Sequence, residues 1–218
     1  FRLRPPTSHD VPALVEHWRD GAVREYLWDD KLVDVRVVEA VVAASESDHA
    51  TSGWGGWVIR TRDEEAPLVG WCGLRVGPPD GSAASELLVE LTYSLVPTWW
   101  RTGATVEAST AVLDHAFANS TLDEVFGGVD APNLRSVATL RRLGFVPDRE
   151  VQLDVGPTPY WRLGRADWLD RRHRPKARPA LAKERRATSQ VEPASFRLFR
   201  GELEIYLPVA AGSASREL

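Results

Sequence analysis

The chain has 218 residues, of which 43% are hydrophobic and 27% are charged, and its formal net charge is −4. This length and composition fit one domain with its own hydrophobic core plus an extension. No apolar run approaches the roughly 20 residues of a membrane span, no signal peptide opens the chain, and a single cysteine excludes a disulfide framework. We therefore expect a cytoplasmic protein that does not act on membranes, with Cys72 as a buried small hydrophobe.

The predicted elements begin with a short strand over residues 1–5, where apolar and basic side chains alternate. The sequence Ser8-His9-Asp10 is typical of a helix start, and Leu14, Val15 and Trp18 then form a helical stripe. A second helix is predicted over about 33–45, although its valines also suit a strand.

Three strands are predicted next, separated by two hairpin-like connections that indicate an antiparallel meander. The hydrophobic period then changes to that of a helix over about 102–119, and a buried strand is predicted at 124–130. The last strand of the meander, this helix and the strand 124–130 form a β-α-β unit. The three meander strands are at 55–62, 67–76 and 87–96.

The final part of the predicted domain is a helix and a pair of strands. Asn133 is a suitable N-cap residue, and Gly144 is a suitable C-terminal residue in a left-handed conformation. Two strands follow near 150–155 and 159–165, around a predicted turn at Gly156-Pro157-Thr158-Pro159.

The charge divides the chain into two parts. Residues 1–169 carry 16 Lys and Arg against 25 Asp and Glu, whereas residues 170–218 carry 11 against 6. We predict a domain over 1–169 and an extension over 170–218, made of a basic linker to about residue 190 and a hairpin at 196–208. The acidic domain argues against a nucleic-acid partner and suits a cationic one.

The segment VELTYSLVPTWWRTGATVEA, residues 89–108, has the order strand, glycine-containing turn, helix. The first amides of a helix have no backbone partner and lie at the positive end of its dipole, so this helix start is a candidate anion site. Gly103 allows the backbone to approach a ligand closely, and Arg101 adds a positive charge. A pyrophosphate would fit this arrangement, while a plain strand-to-helix turn is the alternative.

A second segment, NLRSVATLRRLGF at 133–145, follows the next strand and starts its helix on the same edge of the sheet. The two segments together resemble the GNAT superfamily of acetyltransferases, in particular the branch that acetylates ribosomal-protein N-termini. The first resembles the branch's W-x-x-G-x-A turn, and the second resembles its N-x-x-S-x-x-x-L-x-x-L-G-F pattern. The resemblance covers about residues 1–168.

This resemblance implies a GNAT-like α/β (α+β) fold: a mixed, mostly antiparallel central sheet flanked by helices. It implies acetyl-CoA as the co-substrate, with the pantetheine arm between the strands 87–96 and 124–130. Asn133 would contact the arm, backbone groups near Leu95 and Val96 would bind it, and backbone amides would hold the pyrophosphate. Those amides belong to Arg101, Thr102, Gly103, Ala104 and Thr105.

Two residues are the catalytic candidates. Acetyl transfer needs a neutral amine, so a base is useful, and Glu90 lies at the strand position where the family commonly places a carboxylate. Ser136 would donate a proton to the leaving thiolate or a hydrogen bond to its sulfur. Glu86 and Tyr160 are weaker alternatives, and Leu140 stands where many relatives have a tyrosine acid.

The expected reaction is direct attack of an amine on the thioester in a ternary complex, without an acyl-enzyme. The acceptor is a small-molecule amine or a protein N-terminus, and the protein is a monomer or a homodimer. The five histidines lack a metal-ligand spacing, so no metal is expected. A non-catalytic acyl-CoA-binding relative is the main alternative. A Rossmann nucleotide-binding domain is disfavoured, because that fold carries its glycine motif after the first strand.

Overall fold

A computed structural model describes residues 1–61, 67–78, 86–153 and 156–173, together with the backbone of strands at 195–199 and 202–206. The helices are α1 to α6: Val11–Arg19, Gly21–Arg24, Val35–Ser52, Ala104–Asn119, Leu134–Leu143 and Arg165–His173. The strands β1 to β5 are Arg2–Arg4, Gly56–Arg60, Leu68–Gly77, Leu88–Leu95 and Glu124–Gly128. The strands β6 to β9 are Val146–Leu153, Gly156–Gly164, Ser195–Phe199 and Glu202–Tyr206.

All nine of these strands form one mixed sheet in the order β6-β7-β5-β4-β3-β2-β1-β9-β8. Every neighbouring pair is antiparallel except β4 and β5, which are parallel and are joined by α4. The predicted fold is therefore confirmed: it is the GNAT arrangement of a mostly antiparallel sheet with helices on both faces. Strand β9 pairs with β1, so the predicted C-terminal hairpin extends the sheet at that edge.

Two hydrophobic clusters lie on opposite faces of the sheet. The larger cluster packs α4 and α5 against β3 and β4 and includes Trp168 of α6. The smaller cluster packs α1 and α3 against Val58 and Trp71. Side chains alternate along a strand, so β4 contributes Leu91 and Leu95 to the first face and turns Glu90, Thr92 and Ser94 to the second.

Polar caps and glycines fix the ends of the helices near this sheet. The Asn133 side chain accepts a hydrogen bond from the Ser136 amide at 3.1 Å, as an N-cap does, and Gly144 ends the same helix with a φ of +100°. Both predictions are confirmed. Asp34 caps α3 in the same way through the Arg36 amide, at 2.8 Å.

The predicted elements are confirmed in type and order, with one correction of extent, and two helices, α2 and α6, were not predicted. Helix α3 continues to Ser52, well past the predicted end near 45, because Gly53 with a φ of +74° is its terminator. The short helix α2 was not predicted, because Asp20 caps it through two amides in a segment with no apolar period. No helix among the described residues is long and apolar enough to cross a membrane.

The turn predicted at Gly156–Pro159 was wrong, because these residues lie inside β7 and pair with β6. Pro159 tolerates this position because its carbonyl accepts from Val129 just beyond the last residue of β5. Its nitrogen faces the same side, where the β5 ladder has already ended, and a sheet accepts proline more readily there than inside a ladder. The linker predicted from residue 170 also starts too early, since α6 runs to His173; the rest of that linker lies outside the described residues.

Candidate active site

Strands β4 and β5 separate shortly after they first pair. β4 is in register with β3 at eight positions but with β5 only at Glu90, opposite Phe126. The Val96 amide donates to the Val69 carbonyl at 2.9 Å, so by alternation the backbone groups of Leu91, Tyr93 and Leu95 point to the β5 side. The gap between the strands is therefore lined by the backbone of Tyr93 and Leu95, which no residue of β5 pairs in the strand ladder. Of the two predicted arm-binding residues, Leu95 faces this gap and Val96 does not.

A cavity of about 910 Å³ passes through the gap and is lined by residues from both faces of the sheet. We call its part beside the start of α4 the α4 lobe; it is lined by Trp100, Arg101, Gly103, Thr105 and Val106. We call its part under α1–α3 the tryptophan lobe; it is lined by Trp18, Leu27, Trp28, Val41, Asp48 and Trp71. Glu90 and Ser136 both line the cavity between these lobes.

The α4 lobe contains a helix start that is open to a ligand. Gly103 is the N-cap with a φ of +90°, and a Cβ added there would meet no atom within 4 Å. The amides of Thr105 and Val106 belong to the first helical turn and have no partner within the helix. The positive end of the α4 helix dipole and the open space at Gly103 suit a phosphate group.

The other predicted phosphate-loop residues have different places. Arg101 lines the cavity and has a φ of +64°, which a non-glycine residue seldom adopts. The Thr102 hydroxyl donates to the Trp99 carbonyl at 2.8 Å and accepts from the Ala104 amide at 3.3 Å. Thr102 therefore shapes the turn, and the buried Ala104 belongs to the hydrophobic core.

Two residues of this lobe were missed by the sequence analysis. The Trp100 indole donates to the Leu95 carbonyl at 2.7 Å, so it fixes the turn against the end of β4. Arg135 stacks over the same indole with its guanidinium carbon 4.3 Å from the ring centroid. Arg135 thereby brings a second cation to the cavity beside Arg101. No sequence pattern links α5 to this tryptophan, because the contact is purely tertiary.

Glu90 is 4% exposed and lies at the point where β4 and β5 separate. One of its carboxylate oxygens, Oε2, forms an ion pair with Arg75, the residue opposite it on β3. The other oxygen, Oε1, is buried and has no hydrogen-bond partner among the described residues. The structure therefore gives Glu90 a fixed orientation and one acceptor atom that is still available. A surface-facing Glu90 is excluded.

Ser136 of α5 is hydrogen-bonded to a tyrosine of β4. The Tyr93 hydroxyl lies 2.7 Å from the Ser136 hydroxyl across the cavity. Burial raises the pKa of Tyr93 to about 12, against the smaller lowering effect of Ser136, so the phenol keeps its proton at neutral pH. Ser136 and Tyr93 thus form a neutral hydroxyl pair. Asn133 lines the cavity too, but its side-chain oxygen is already used for the helix cap.

The Ser94 hydroxyl anchors two residues of α1 beside the tryptophan lobe. The Trp18 indole donates to the Ser94 hydroxyl at 3.1 Å, and His17 Nε2 lies 2.9 Å from the same oxygen. Burial lowers the pKa of His17 to about 4, so the imidazole is neutral at pH 7. Trp18 packs edge-on against Trp28 and Trp71, with 5.5 Å between ring centroids in both pairs. This lobe is therefore a rigid aromatic wall.

The alternative candidates lie away from the centre of the site or have a core role. The Glu86 side chain is 74% exposed and pairs with Arg149 at 3.6 Å, so it is a surface carboxylate. Tyr160 is buried in a small cluster with Leu88 and Phe126, and it lines the cavity at that end. Cys72 is fully buried, and burial raises its pKa to about 12, as expected of a core residue. Among the described residues no group of three potential ligands could hold a metal ion.

Comparisons with known proteins agree with this geometry. A family model described as an acetyltransferase (GNAT) domain matches residues 1–146. The structure is similar to a putative GnaT-family acetyltransferase from Bordetella pertussis, with a TM-score of 0.63 and 15% identity over 74% of this chain and 95% of that chain.

It is also similar to a putative acetyltransferase from Salmonella typhimurium, whose structure contains its cofactor acetyl-CoA, with a TM-score of 0.57 and 18% identity. That match covers 74% of this chain and 92% of the other. A ribosomal-protein-alanine N-acetyltransferase from Brucella melitensis has a TM-score of 0.56 and 20% identity, over 74% and 98% of the two chains. No curated protein sequence matches the chain.

Proposed function

The chain belongs to the GNAT acetyltransferase family, and we propose that it moves the acetyl group of acetyl-CoA directly to a primary amine within a ternary complex. The observation that carries this proposal is the position of Glu90. Its carboxylate is buried in the lining of the cavity, it lies at the point where β4 and β5 separate, and one of its oxygens has no hydrogen-bond partner among the described residues. An N-acetyltransferase needs a proton acceptor at such a junction.

The residues of the α4 lobe fit the pyrophosphate and arm of acetyl-CoA. Gly103 leaves room for a phosphate, the amides of Thr105 and Val106 point toward it, and Arg101 and Arg135 supply positive charge. The Leu95 amide, which faces the gap between β4 and β5, supports binding of the pantetheine arm, which would run through that gap. The Leu95 amide could also polarise the thioester carbonyl.

The reaction proposed for this cavity is a direct displacement. The lone pair of the amine attacks the thioester carbonyl carbon, the C–N bond forms, and the C–S bond breaks to release the CoA thiolate. Glu90 Oε1 takes the proton that the amine loses, directly or through one water molecule. Arg75 is the positioning residue, because its guanidinium fixes the other oxygen of the same carboxylate.

The leaving thiolate requires little assistance, since a thiol pKa is about 8.5. Ser136 is proposed to donate a hydrogen bond or a proton to the sulfur. Tyr93, which remains protonated, would orient the Ser136 hydroxyl and restore its proton. Asn133 is proposed to contact the cofactor arm through its amide nitrogen, because its oxygen caps α5.

The finer assignments are also proposals. The acceptor is a small-molecule amine or a protein N-terminus, and the likeness to the Brucella enzyme favours the ribosomal-protein branch without deciding between them. Residues 1–169 would form the catalytic domain and 170–218 an extension, acting in the cytoplasm as a monomer or homodimer. The solved relatives support this division, since nearly their full length is covered by about three quarters of this chain.

The test is thiol release from acetyl-CoA with a panel of amines, comparing the wild type with Glu90→Gln and Glu86→Gln. We expect Glu90→Gln to lower kcat by about 100-fold or more, which is the usual contribution of a general base. Glu86→Gln is the matched control, because that carboxylate is exposed and lies outside the cavity. Acetyl-CoA binding, measured by calorimetry, should be the same in all three proteins.

Equal turnover by the wild type and Glu90→Gln would rule out Glu90 as the base. An absence of turnover with any amine, while acetyl-CoA still binds, would favour a non-catalytic acyl-CoA-binding protein. An absence of acetyl-CoA binding would contradict the whole proposal.

A further inference from the structure

The tryptophan lobe contains a carboxylate that the proposed reaction does not use. Asp48 lies on α3, lines the cavity, and makes no hydrogen bond or ion pair with any described residue. Burial raises its pKa, with a smaller opposing effect of His49. A partly buried carboxylate without a partner costs free energy, and a bound cation would offset that cost.

The position of Asp48 above the sheet is fixed one turn earlier in the same helix. Ser45 exchanges hydrogen bonds with Gly56 of β2, donating to its carbonyl at 3.1 Å and accepting from its amide at 2.7 Å. Gly56 lies opposite Gly73 of β3, and Gly73 lies opposite Thr92, two residues from Glu90. The attachment of α3 to β2 therefore holds Asp48 over the face of the sheet to which the Glu90 side chain points.

Glu90 supplies the second and independent observation. It is 96% buried, as the complement of its 4% exposure, and its Oε1 has no partner while lining the same cavity. The nearest cation, Arg75, is already paired with Oε2 of this carboxylate. Among the described residues, four arginines line the cavity, Arg75, Arg101, Arg135 and Arg142. Of the four described carboxylates that line it, Asp29 is paired with Lys31 at 3.4 Å and Asp130 follows β5; the other two, Asp48 and Glu90, lie on α3 and β4.

The wall between these carboxylates is apolar. The cavity-lining face of α3 from Val37 to Asp48 spans about 16 Å of helix, and Asp48 carries its only charge; the other lining residues are Val37, Ala40, Val41, Ala44 and Ser45. The rings of Trp18, Trp28 and Trp71 complete the wall. Aliphatic carbon and aromatic faces are good surroundings for the methylene chain and the cationic end of an alkylamine.

We propose that the acceptor is a dicationic amine, in which one amino group reacts beside Glu90 while Asp48 binds a second ammonium group along an aliphatic chain. This inference rests on the proposed function and names its substrate class. Asp48 is a specificity-determining residue in this scheme and takes no part in bond making. The net negative charge of residues 1–169 would attract such an acceptor from solution.

The test compares two amines of equal chain length, 1,5-diaminopentane and 1-aminopentane, on the wild type, Asp48→Asn and Glu46→Gln. Glu46 is a matched control on the same helix, because it is exposed and does not line the cavity. We expect wild-type kcat/KM to be about tenfold or more higher for the diamine, as for a charge-assisted contact. Asp48→Asn should remove that preference without changing the rate with the monoamine, and Glu46→Gln should behave as wild type.

Calorimetry of both amines with the CoA-saturated proteins decides the inference even if turnover is absent. Diamine binding that is weakened by Asp48→Asn supports it, and would do so even if the proposed acetyl transfer failed. Equal kcat/KM for the two amines, an equal loss for both in Asp48→Asn, or no binding of either amine would overturn it. Thermal unfolding of Asp48→Asn is expected to match wild type, since Asp48 has no partner to lose within the described residues.

Discussion

At the scale of single residues, the site depends on buried polar groups whose partners come from other elements. Glu90 is held by Arg75 of β3, and Ser136 of α5 is held by Tyr93 of β4. Sequence patterns alone gave reasons to choose Glu90 and Ser136, because a carboxylate on that strand and the N-x-x-S pattern are visible. Nothing comparable pointed to Arg75 or Tyr93, the residues that hold them, because their partners are 15 and 43 residues away.

His17 shows the same dependence and leads to a prediction about stability. Its folded pKa of about 4 lies below the ordinary value of 6.5, because burial opposes the charged form. Above pH 6.5 the imidazole is neutral in both states, so no stability is lost. As the pH falls toward 4, the unfolded chain binds a proton that the folded protein does not, and the free energy of unfolding should fall by about 3 kcal/mol.

Urea unfolding between pH 7 and pH 4.5 measures this effect. His17→Gln should flatten the pH dependence but not abolish it, because burial also lowers the pKa of His49. Asp10 does not interfere in this window. Burial raises its pKa, but Arg4, Thr7 and Arg60 outweigh that effect and bring it to about 2, so its contribution is lost only below pH 4. An unchanged pH dependence of the unfolding free energy in His17→Gln would show that folding does not lower the pKa of His17.

At the scale of elements, the strand-turn-helix from β4 to α4 creates the proposed phosphate site. Gly103 is the N-cap of α4 in a left-handed conformation, and the Thr102 hydroxyl and the Trp100 indole hold the turn in place. The sequence predicted the helix start and the importance of Gly103. It did not predict that Trp100 would secure the turn to Leu95, because that requires the turn to fold back on the end of β4.

The conformation of Gly103 gives a prediction with a close control. Gly103→Ala and Gly53→Ala each place a Cβ at a positive φ with no atom within 4 Å, so each should cost about 1–2 kcal/mol of stability. Of these two glycines, Gly103 lines the cavity and Gly53 does not. We expect Gly103→Ala alone to weaken CoA binding, by about tenfold if one phosphate contact is disturbed. The Kd of CoA for both variants, measured by calorimetry, checks this, and equal Kd values would place the phosphate elsewhere.

At the scale of the whole molecule, the described core consists of two hydrophobic clusters on opposite faces of the sheet. Among the described residues, the last side chain in either main cluster is Trp168, whose indole also donates to Asp114 at 2.9 Å. Arg172 pairs with the same carboxylate at 2.7 Å. Helix α6 thus packs on the domain through its last turn, so we propose that the boundary predicted at residue 169 be drawn after His173.

This boundary can be tested by ending the chain at His173. We expect that variant to unfold cooperatively and to bind acetyl-CoA with an unchanged Kd, because the main core clusters and the described cavity lining are intact. Circular dichroism and calorimetry are the measurements. A further variant that ends at Asp167 should be clearly less stable, since it removes the buried Trp168, at a typical cost of about 3–5 kcal/mol. Loss of folding on ending at His173 would mean that the extension is part of the core.

The sequence by itself determined most elements and their order, because helix periods, caps and glycine turns are local properties of neighbouring residues. Its resemblance to a known family added the fold and the two motifs that are proposed to bind the cofactor. The tertiary structure alone decided the partners of the catalytic candidates and the side of β4 on which Leu95 faces the gap. It also placed Asp48 in the cavity, since α3 extends beyond the predicted end and is fastened to β2 through Ser45 and Gly56. The physical reason is that pairing register and helix docking are set by contacts distant in sequence, which no local pattern encodes.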